Sequence, residues 1–386
     1  MDLTGVNGAS SARQANADAS LSAHPPSALQ ARIALAIADT DGWLPFDRFM
    51  SMALYEPGLG YYACSSRQFG SLPSSGSDFV TAPELSPLFG RALARQVRQV
   101  LDAAGADRVV EFGAGSGALA EHVLQSLGDR VARYEIVDLS GALRARQAER
   151  LAPFGSRVQW LCEWPEVIDG VVLGNEVLDA MPVQLLHFDG SHWLERGVAL
   201  RGGQMVFADR PTALRPPGDS IHLPPAFVTE IHPQAEAFVR TLADKLRCGA
   251  AFFIDYGFPE SEYYLPDRNG GTLMCHRGHR ADTDPLIAVG AKDITAHVNF
   301  SGIALAGQDA GLDVLGYTSQ ARFLMNCGLL DELRGHDAHS DCRAIAAAQR
   351  LLNEHEMGEL FKVIGFARGI AIDPLGFTTG DRSHTL

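Results

Sequence analysis

Three glycines at alternate positions, Gly113, Gly115 and Gly117, stand between an apolar run and a helix-like pattern in "RVVEFGAGSGALAEHVL", residues 108–124. A glycine turn that closes a strand and opens a helix lets the backbone approach a ligand closely, at the carboxyl ends of the strands of an open α/β sheet. The stretches that follow keep this rhythm. "ALAEHVLQSL" reads as a helix, "RYEIVDLS" as a strand, "GALRARQAERL" as a helix, "RVQWL" as a strand and "GVVLGNEVL" as a strand ending in a turn. Strands alternating with helices predict a parallel sheet with crossovers. Further on, "AAFFIDYGF" is an apolar strand ending in Asp255, while "GLDVLGYTSQ" and "LFKVIGFARG" read as two more, the second antiparallel at the sheet edge.

The chain around this sheet divides by composition. Residues 1–27 are small, polar and Pro-ended and are expected to form a disordered leader, and Asp2 and Asp18 are unlike a mitochondrial presequence. Residues 28–107 read as a helical cap containing a polar loop, "SLPSSGSDFVTAPELSP", followed by an amphipathic helix that Gly105 ends. The sheet domain then occupies 108–386, and a hairpin signal and a Pro-rich stretch mark an α+β insertion at about 183–248.

A formal charge of −14 argues against a nucleic-acid surface, which needs a basic stripe. No apolar run approaches the roughly 20 residues of a membrane span. Six cysteines without a C-x-x-C pair suit a reducing compartment, and the cytoplasm of a bacterial-type cell is expected rather than the mitochondrial matrix. Cys275, His276 and His279 lack a second ligand pair at matching spacing, so no metal is expected.

Gly113, Gly115 and Ala118 also fit G-x-G-x-x-[G/A], which admits a dinucleotide. The neighbours discriminate. Glu111, at the strand end, would face the pyrophosphate of NAD but suits the cationic amino-acid part of S-adenosylmethionine. Asp138, 21 residues after Gly117 at the end of the next strand, is placed for ribose hydroxyls in either cofactor. Asn175, Glu176 and Asp179 cluster where the ligand cleft should open. A carboxylate there can steer a cationic or amine nucleophile and take its proton, and the Asn175 carbonyl can hold a nitrogen. The same residues suit a helix start that Asn175 caps and whose dipole Glu176 complements. Trp160 borders either an adenine or the core, Tyr61 and Tyr62 form either a lid or a packed turn, and His297 reads as a packed histidine.

These residues belong to a wider set of motifs. "PGLGYY" (57–62), "SDFVTAPELSPLFG" (77–90), "EFGAGSG" (111–117), "GNEVLDAMPV" (174–183), "IDYGF" (254–258), "GTLMCHRGHR" (271–280) and "DPLIAVGAKDITAHVNF" (284–300) occur together with "LGYTSQARFL" and "FKVIGFARG". In these the chain resembles the MidA-like S-adenosylmethionine-dependent methyltransferases, which include the mitochondrial arginine methyltransferase of respiratory complex I assembly. The resemblance implies a class I methyltransferase sheet with S-adenosyl-L-methionine held by Thr81, Pro83, Glu84, Glu111, Gly113, Ala114, Gly115, Gly117, Asp138, Leu139 and Asn175. It implies N-methylation of arginine on a protein, with symmetric dimethylation as the outcome in the best-understood member. Glu176 and Asp179 are then the carboxylates that fix the guanidinium, sharing a face if a helix starts there. A homodimer is compatible with this reading. Ser77 and Met274 depart from the family's usual residues. Two other classes stay open: a non-catalytic assembly factor that binds the same cofactor, and an NAD-dependent oxidoreductase.

Overall fold

The computed structural model describes residues 27–63, 80–138, 140–218, 223–334 and 342–386. Its central sheet is built from β1 (Arg108–Phe112), β2 (Arg133–Val137), β3 (Val158–Leu161), β4 (Ile168–Asn175), β5 (Leu246–Phe258), β6 (Asp313–Ser319) and β7 (Phe361–Arg368). Their order is 3-2-1-4-5-7-6, and a two-residue strand, Val298–Asn299, adds beside the end of β5. Neighbours from β3 through β5 are parallel, and β7 is antiparallel to both β5 and β6. This is the strand arrangement of an α/β class I methyltransferase fold.

The expectation that residues 361–368 form the sheet edge is overturned, because β7 is paired on both sides and the edge strand is β6. The burial pattern gives the reason. Six consecutive residues of β7, Lys362–Ala367, are buried, whereas β6 starts exposed. An open edge invites pairing with other chains, and here the C-terminal turns cover it. Asp381 accepts the Tyr317 N–H at 2.9 Å, and Arg382 N–H donates to Tyr317 O at 2.6 Å.

Helices close both faces. On one side the helices Pro87–Ala104, Ala118–Leu127 and Gln320–Asn326 bury residues such as Leu93, Val97, Val123 and Phe323 against Val109, Leu173 and Phe252. The first of these begins where Pro87 follows Ser86, whose side chain accepts the Leu88 N–H, and it ends on Gly105 in the left-handed conformation. On the other side Pro233–Lys245 and Phe300–Asp309 pack Val239, Leu242 and Ile303 on Val172, Phe253 and Ile364.

Between β4 and Pro233 the chain leaves the sheet. Gln184–Phe188, Trp193–Arg201, Gln204–Pro211 and Phe227–Ile231 form an antiparallel sheet, and Trp43–Pro45 from the N-terminal segment joins it, with Trp43 opposite Ala199. The segment expected to be a helical cap therefore contributes a strand, and its helices Ala28–Ala38 and Phe46–Tyr55 share one core with Leu185 and Val198 of the inserted strands. Cys275, Ile294 and Ala296, from the segment holding a three-stranded sheet of Met274–Arg277, Arg280–Asp282 and Asp293–Thr295, complete that core. Among the described residues no helix is long and apolar enough to cross a membrane.

Candidate active site

The carboxyl ends of β1, β4 and β5, the N-terminal segment and the small sheet wall a cavity of about 1350 Å³. Single-ligand pockets run to roughly 300–1,000 Å³, so this one has room for two ligands.

One half is organised by the glycine turn. Gly113, Gly115 and Gly117 all have positive φ, of 63°, 55° and 84°. A Cβ on Gly113 would come within 3.1 Å of Val177 Cγ2, so the turn is closed to larger residues. The Gly113 N–H donates to Val137 O at 3.1 Å, which ties the turn to β2. Gly113, Ala114 and Gly115 line the cavity; Gly117 does not, and instead caps the helix behind it.

Glu111 lies in the same wall, 2% exposed. Burial pushes its carboxyl up to about 7 against the pull of the Tyr134 hydroxyl, which donates to Oε2 at 2.6 Å. Asp138 accepts the Ser140 N–H on Oδ1 at 2.9 Å and Gln147 Nε2 on Oδ2 at 2.8 Å. Gln147 also donates to Gly115 O and accepts Trp160 Nε1–H, each at 2.9 Å. Trp160 thus supports Gln147 from behind. The tryptophan in the cavity wall is Trp164, packed against Phe112 and Phe238 at ring separations of 4.3 and 4.9 Å, an apolar patch against which a planar base can lie. Leu139 lies outside the described residues.

Thr81 and Pro83 line the cavity, but Glu84 turns away. It accepts from the Ser116 hydroxyl and from Arg150 Nη1 at 2.9 Å, and Arg150 also pairs with Glu121 at 2.9 Å. Glu84 therefore fastens its segment to the outside of the glycine turn.

The other half is acidic and aromatic. Asn175, Glu176 and Asp179 all line it, yet no helix starts at this point. The N–H groups of Val177, Leu178 and Asp179, which a helix start would leave free for a cap, all donate to Asp255 Oδ2, at 3.1, 2.9 and 3.2 Å. Asn175 Nδ2 donates to Glu176 Oε1 at 2.9 Å, so it caps nothing. Glu176 has φ +55°, and its carboxyl is pushed up to about 8 by burial and by the nearby Asp179. Asp179 is 4% exposed; burial raises it to about 6 although the Tyr256 hydroxyl bonds to it. Two buried acceptors here, Asn175 Oδ1 and Asp179 Oδ1, have no partner.

Tyr62, one of the two tyrosines read as a lid or a packed turn, lines this half, and sequence reasoning missed Asp293, Tyr55 and Tyr256, which complete it. Tyr62 donates to Asp293 Oδ1 at 2.9 Å and Tyr55 to Ala180 O at 2.8 Å. The "DITAHVNF" motif was the available signal for Asp293. His297 lines the cavity beside Tyr256 and Phe258, and burial lowers its affinity for protons to a pKa of about 4. Among the described residues no group of three or more His, Cys, Asp or Glu side chains gathers as a metal site.

Six carboxylates line the cavity (Glu111, Asp138, Glu163, Glu176, Asp179 and Asp293), and among the described lining residues there is no Lys or Arg. Buried carboxylates normally face a cation. A site for pyrophosphate would have the opposite sign, whereas a ligand with an ammonium and a sulfonium supplies what is missing.

The comparisons with known proteins agree with that chemistry. Residues 91–318 match the model of a family described as S-adenosyl-L-methionine-dependent methyltransferase. A Burkholderia thailandensis protein, whose crystal structure holds S-adenosyl-homocysteine, is 52% identical with a TM-score of 0.90, covering 95% of this chain and 100% of its own. A native crystal structure from the same organism is 51% identical, with a TM-score of 0.86 over the same shares. The mitochondrial protein arginine methyltransferase NDUFAF7 homolog of Caenorhabditis elegans is 28% identical over 74% of this chain and 73% of its own length. The NDUFAF7 protein of Danio rerio is 27% identical over 81% of each.

Proposed function

We propose, on the premise that this chain belongs to the S-adenosyl-L-methionine-dependent methyltransferase family, that it methylates arginine side chains of a protein. The observation that carries the arginine assignment is the acidic half of the cavity, where Glu176, Asp179 and Asp293 meet no Lys or Arg among the described lining residues and two acceptors, Asn175 Oδ1 and Asp179 Oδ1, are unpartnered. Leaving a buried acceptor unanswered costs about 1–3 kcal/mol, so these groups await a ligand rich in N–H donors. A guanidinium offers five donors and a permanent positive charge. The naming of the Caenorhabditis elegans and Danio rerio relatives as protein arginine methyltransferases supports the same substrate.

In this reading the two halves of the cavity have separate tasks. Glu111 takes the cofactor's ammonium, Asp138 its ribose hydroxyls, and Trp164 with Phe238 its base, while Thr81, Pro83, Gly113, Ala114 and Gly115 shape the groove. When bound, S-adenosyl-L-methionine supplies a methyl group on a positively charged sulfur. Glu176 fixes the guanidinium and holds electron density on the attacking nitrogen, and Asp179 supports it and accepts the proton that N-methylation releases. Burial keeps water from competing.

Incubation of the full chain with a methyl-labelled donor and a lysate of its host, followed by mass spectrometry of the labelled proteins, tests this. Methylarginine is the expected product. Label confined to lysine, to another side chain or to a small molecule overturns the arginine assignment, and cofactor binding without any labelled product favours a non-catalytic assembly factor.

A further inference from the structure

Beyond the two acids of the β4 turn, the acidic half of the cavity holds Asp293. This residue comes from a different element, the short strand Asp293–Thr295, and is 3% exposed in the cavity wall. Its Oδ1 accepts both the Tyr62 hydroxyl and the Ile294 N–H at 2.9 Å, so the carboxylate is held in one orientation. Tyr62 stacks on Tyr55, with ring centres 5.6 Å apart, and Tyr55 in turn donates to Ala180 O beside Asp179. The N-terminal segment thus spans from the Asp293 strand to the β4 turn. The charge of Asp293 is felt at Glu176, where it adds to the upward push on that carboxyl. The acids therefore form one electrostatic cluster contributed from two walls.

An acidic cluster alone is no site, but here an independent observation points to a ligand. Asp179 Oδ1 is buried in the same cavity and has no partner, as has Asn175 Oδ1. Acceptors on two elements suit a planar fork with donors on both edges better than the three clustered donors of an ammonium.

We propose that Asp293, held by Tyr62, is the second carboxylate of a two-walled guanidinium clamp and selects arginine over lysine. This rests on the arginine reading above and deepens it. Asp179 and Asn175 meet one edge of the fork, Asp293 meets the other, and Tyr62 acts as a positioning residue that makes the N-terminal segment part of substrate recognition.

Calorimetric titration of the full chain, saturated with S-adenosyl-homocysteine, with the tripeptide acetyl-Gly-Arg-Gly-amide and its lysine counterpart tests the clamp. The parent protein is expected to bind the arginine peptide at least tenfold more tightly than the lysine peptide. Asp293→Asn should lose about tenfold or more for arginine and most of that preference, with affinity for S-adenosyl-homocysteine unchanged. Tyr62→Phe, which deletes one hydroxyl and leaves the ring, should lose about threefold to tenfold for arginine only. Parent-like arginine binding in Asp293→Asn overturns the clamp while the arginine reading stands. Should Asp293→Asn fail to fold, parent-like binding in Tyr62→Phe overturns it equally. A parent protein that binds neither peptide, or prefers lysine, removes both proposals.

Discussion

Tyr134 donates its phenolic hydrogen to Glu111 Oε2 at 2.6 Å, with both side chains buried in the sheet beneath the glycine turn. This bond partly offsets the burial that lifts the Glu111 carboxyl to about 7. A cationic ligand binds the ionised carboxylate, and the protonated form must first lose its proton. Affinity for S-adenosyl-L-methionine should therefore rise with pH up to about 7 and level off above it, losing up to about tenfold per unit on the acid side. Tyr134→Phe removes the group that favours ionisation, so the inflection should move to higher pH. Glu111→Gln should bind more weakly and with a flatter pH dependence. Calorimetry between pH 6 and pH 8.5 that finds the same slope in Glu111→Gln as in the parent would remove Glu111 from the cofactor's ammonium.

The turn after β4 depends on a residue of β5. Asp255 Oδ2 accepts three successive N–H groups, and Asp255→Ala leaves all three buried donors without an acceptor. At about 1–3 kcal/mol each, the loss of folding stability should reach about 3 kcal/mol or more. Asp255→Asn keeps an oxygen in place and should lose less than half as much. Urea denaturation measures both; equal losses would show that a neutral acceptor oxygen of the same size cannot replace the carboxylate.

Glu84 fastens the "TAPE" segment to the outside of the cofactor turn through Ser116 and Arg150. About a third of the Arg150 side chain is exposed, so screening limits the pair to about 0.2–1 kcal/mol. Glu84→Ala should weaken S-adenosyl-homocysteine binding by about threefold to tenfold, and Glu84→Gln, which retains a hydrogen bond to Ser116, by less. Parent-like affinity in Glu84→Ala would mean that Thr81 and Pro83 are held by packing alone.

What could be read from the sequence was local. The glycine turn, the carboxylate before it and the acid at the next strand end lie within one strand–helix–strand unit, so their spacing carries their placement. Contacts between distant segments were not legible. The apolar run 361–368 declares a strand but not its two neighbours, β5 and β6. Glu84 reads as a cofactor ligand until Arg150, 66 residues later, turns it away. "NEVLD" reads as a helix start because Asp255, which takes the N–H groups of the turn, is 76–78 residues away. Asp293 and Tyr62 meet across 231 residues, a pairing that no periodicity announces.

Glu176 separates stability from function at one position. It is a non-glycine residue at φ +55°, a conformation that costs about 1–2 kcal/mol with a Cβ present, and its carboxyl is buried beside Asp179. Glycine removes that strain at an entropic cost of about 0.5–1 kcal/mol, so Glu176→Gly should melt no lower than the parent. Turnover should nevertheless fall by about 10² or more in Glu176→Gly and in Glu176→Gln, with little change in cofactor affinity, because both lose the charge that fixes the guanidinium. The carboxyl near 8 in the free protein sets the pH dependence. The active form is ionised, so kcat/KM in the parent should climb toward about pH 8, and this limb should be absent from the residual activity of Glu176→Gln. A lower melting temperature in Glu176→Gly would make Glu176 a structural residue, and a parent-like rate in Glu176→Gln would take the guanidinium from Glu176 altogether.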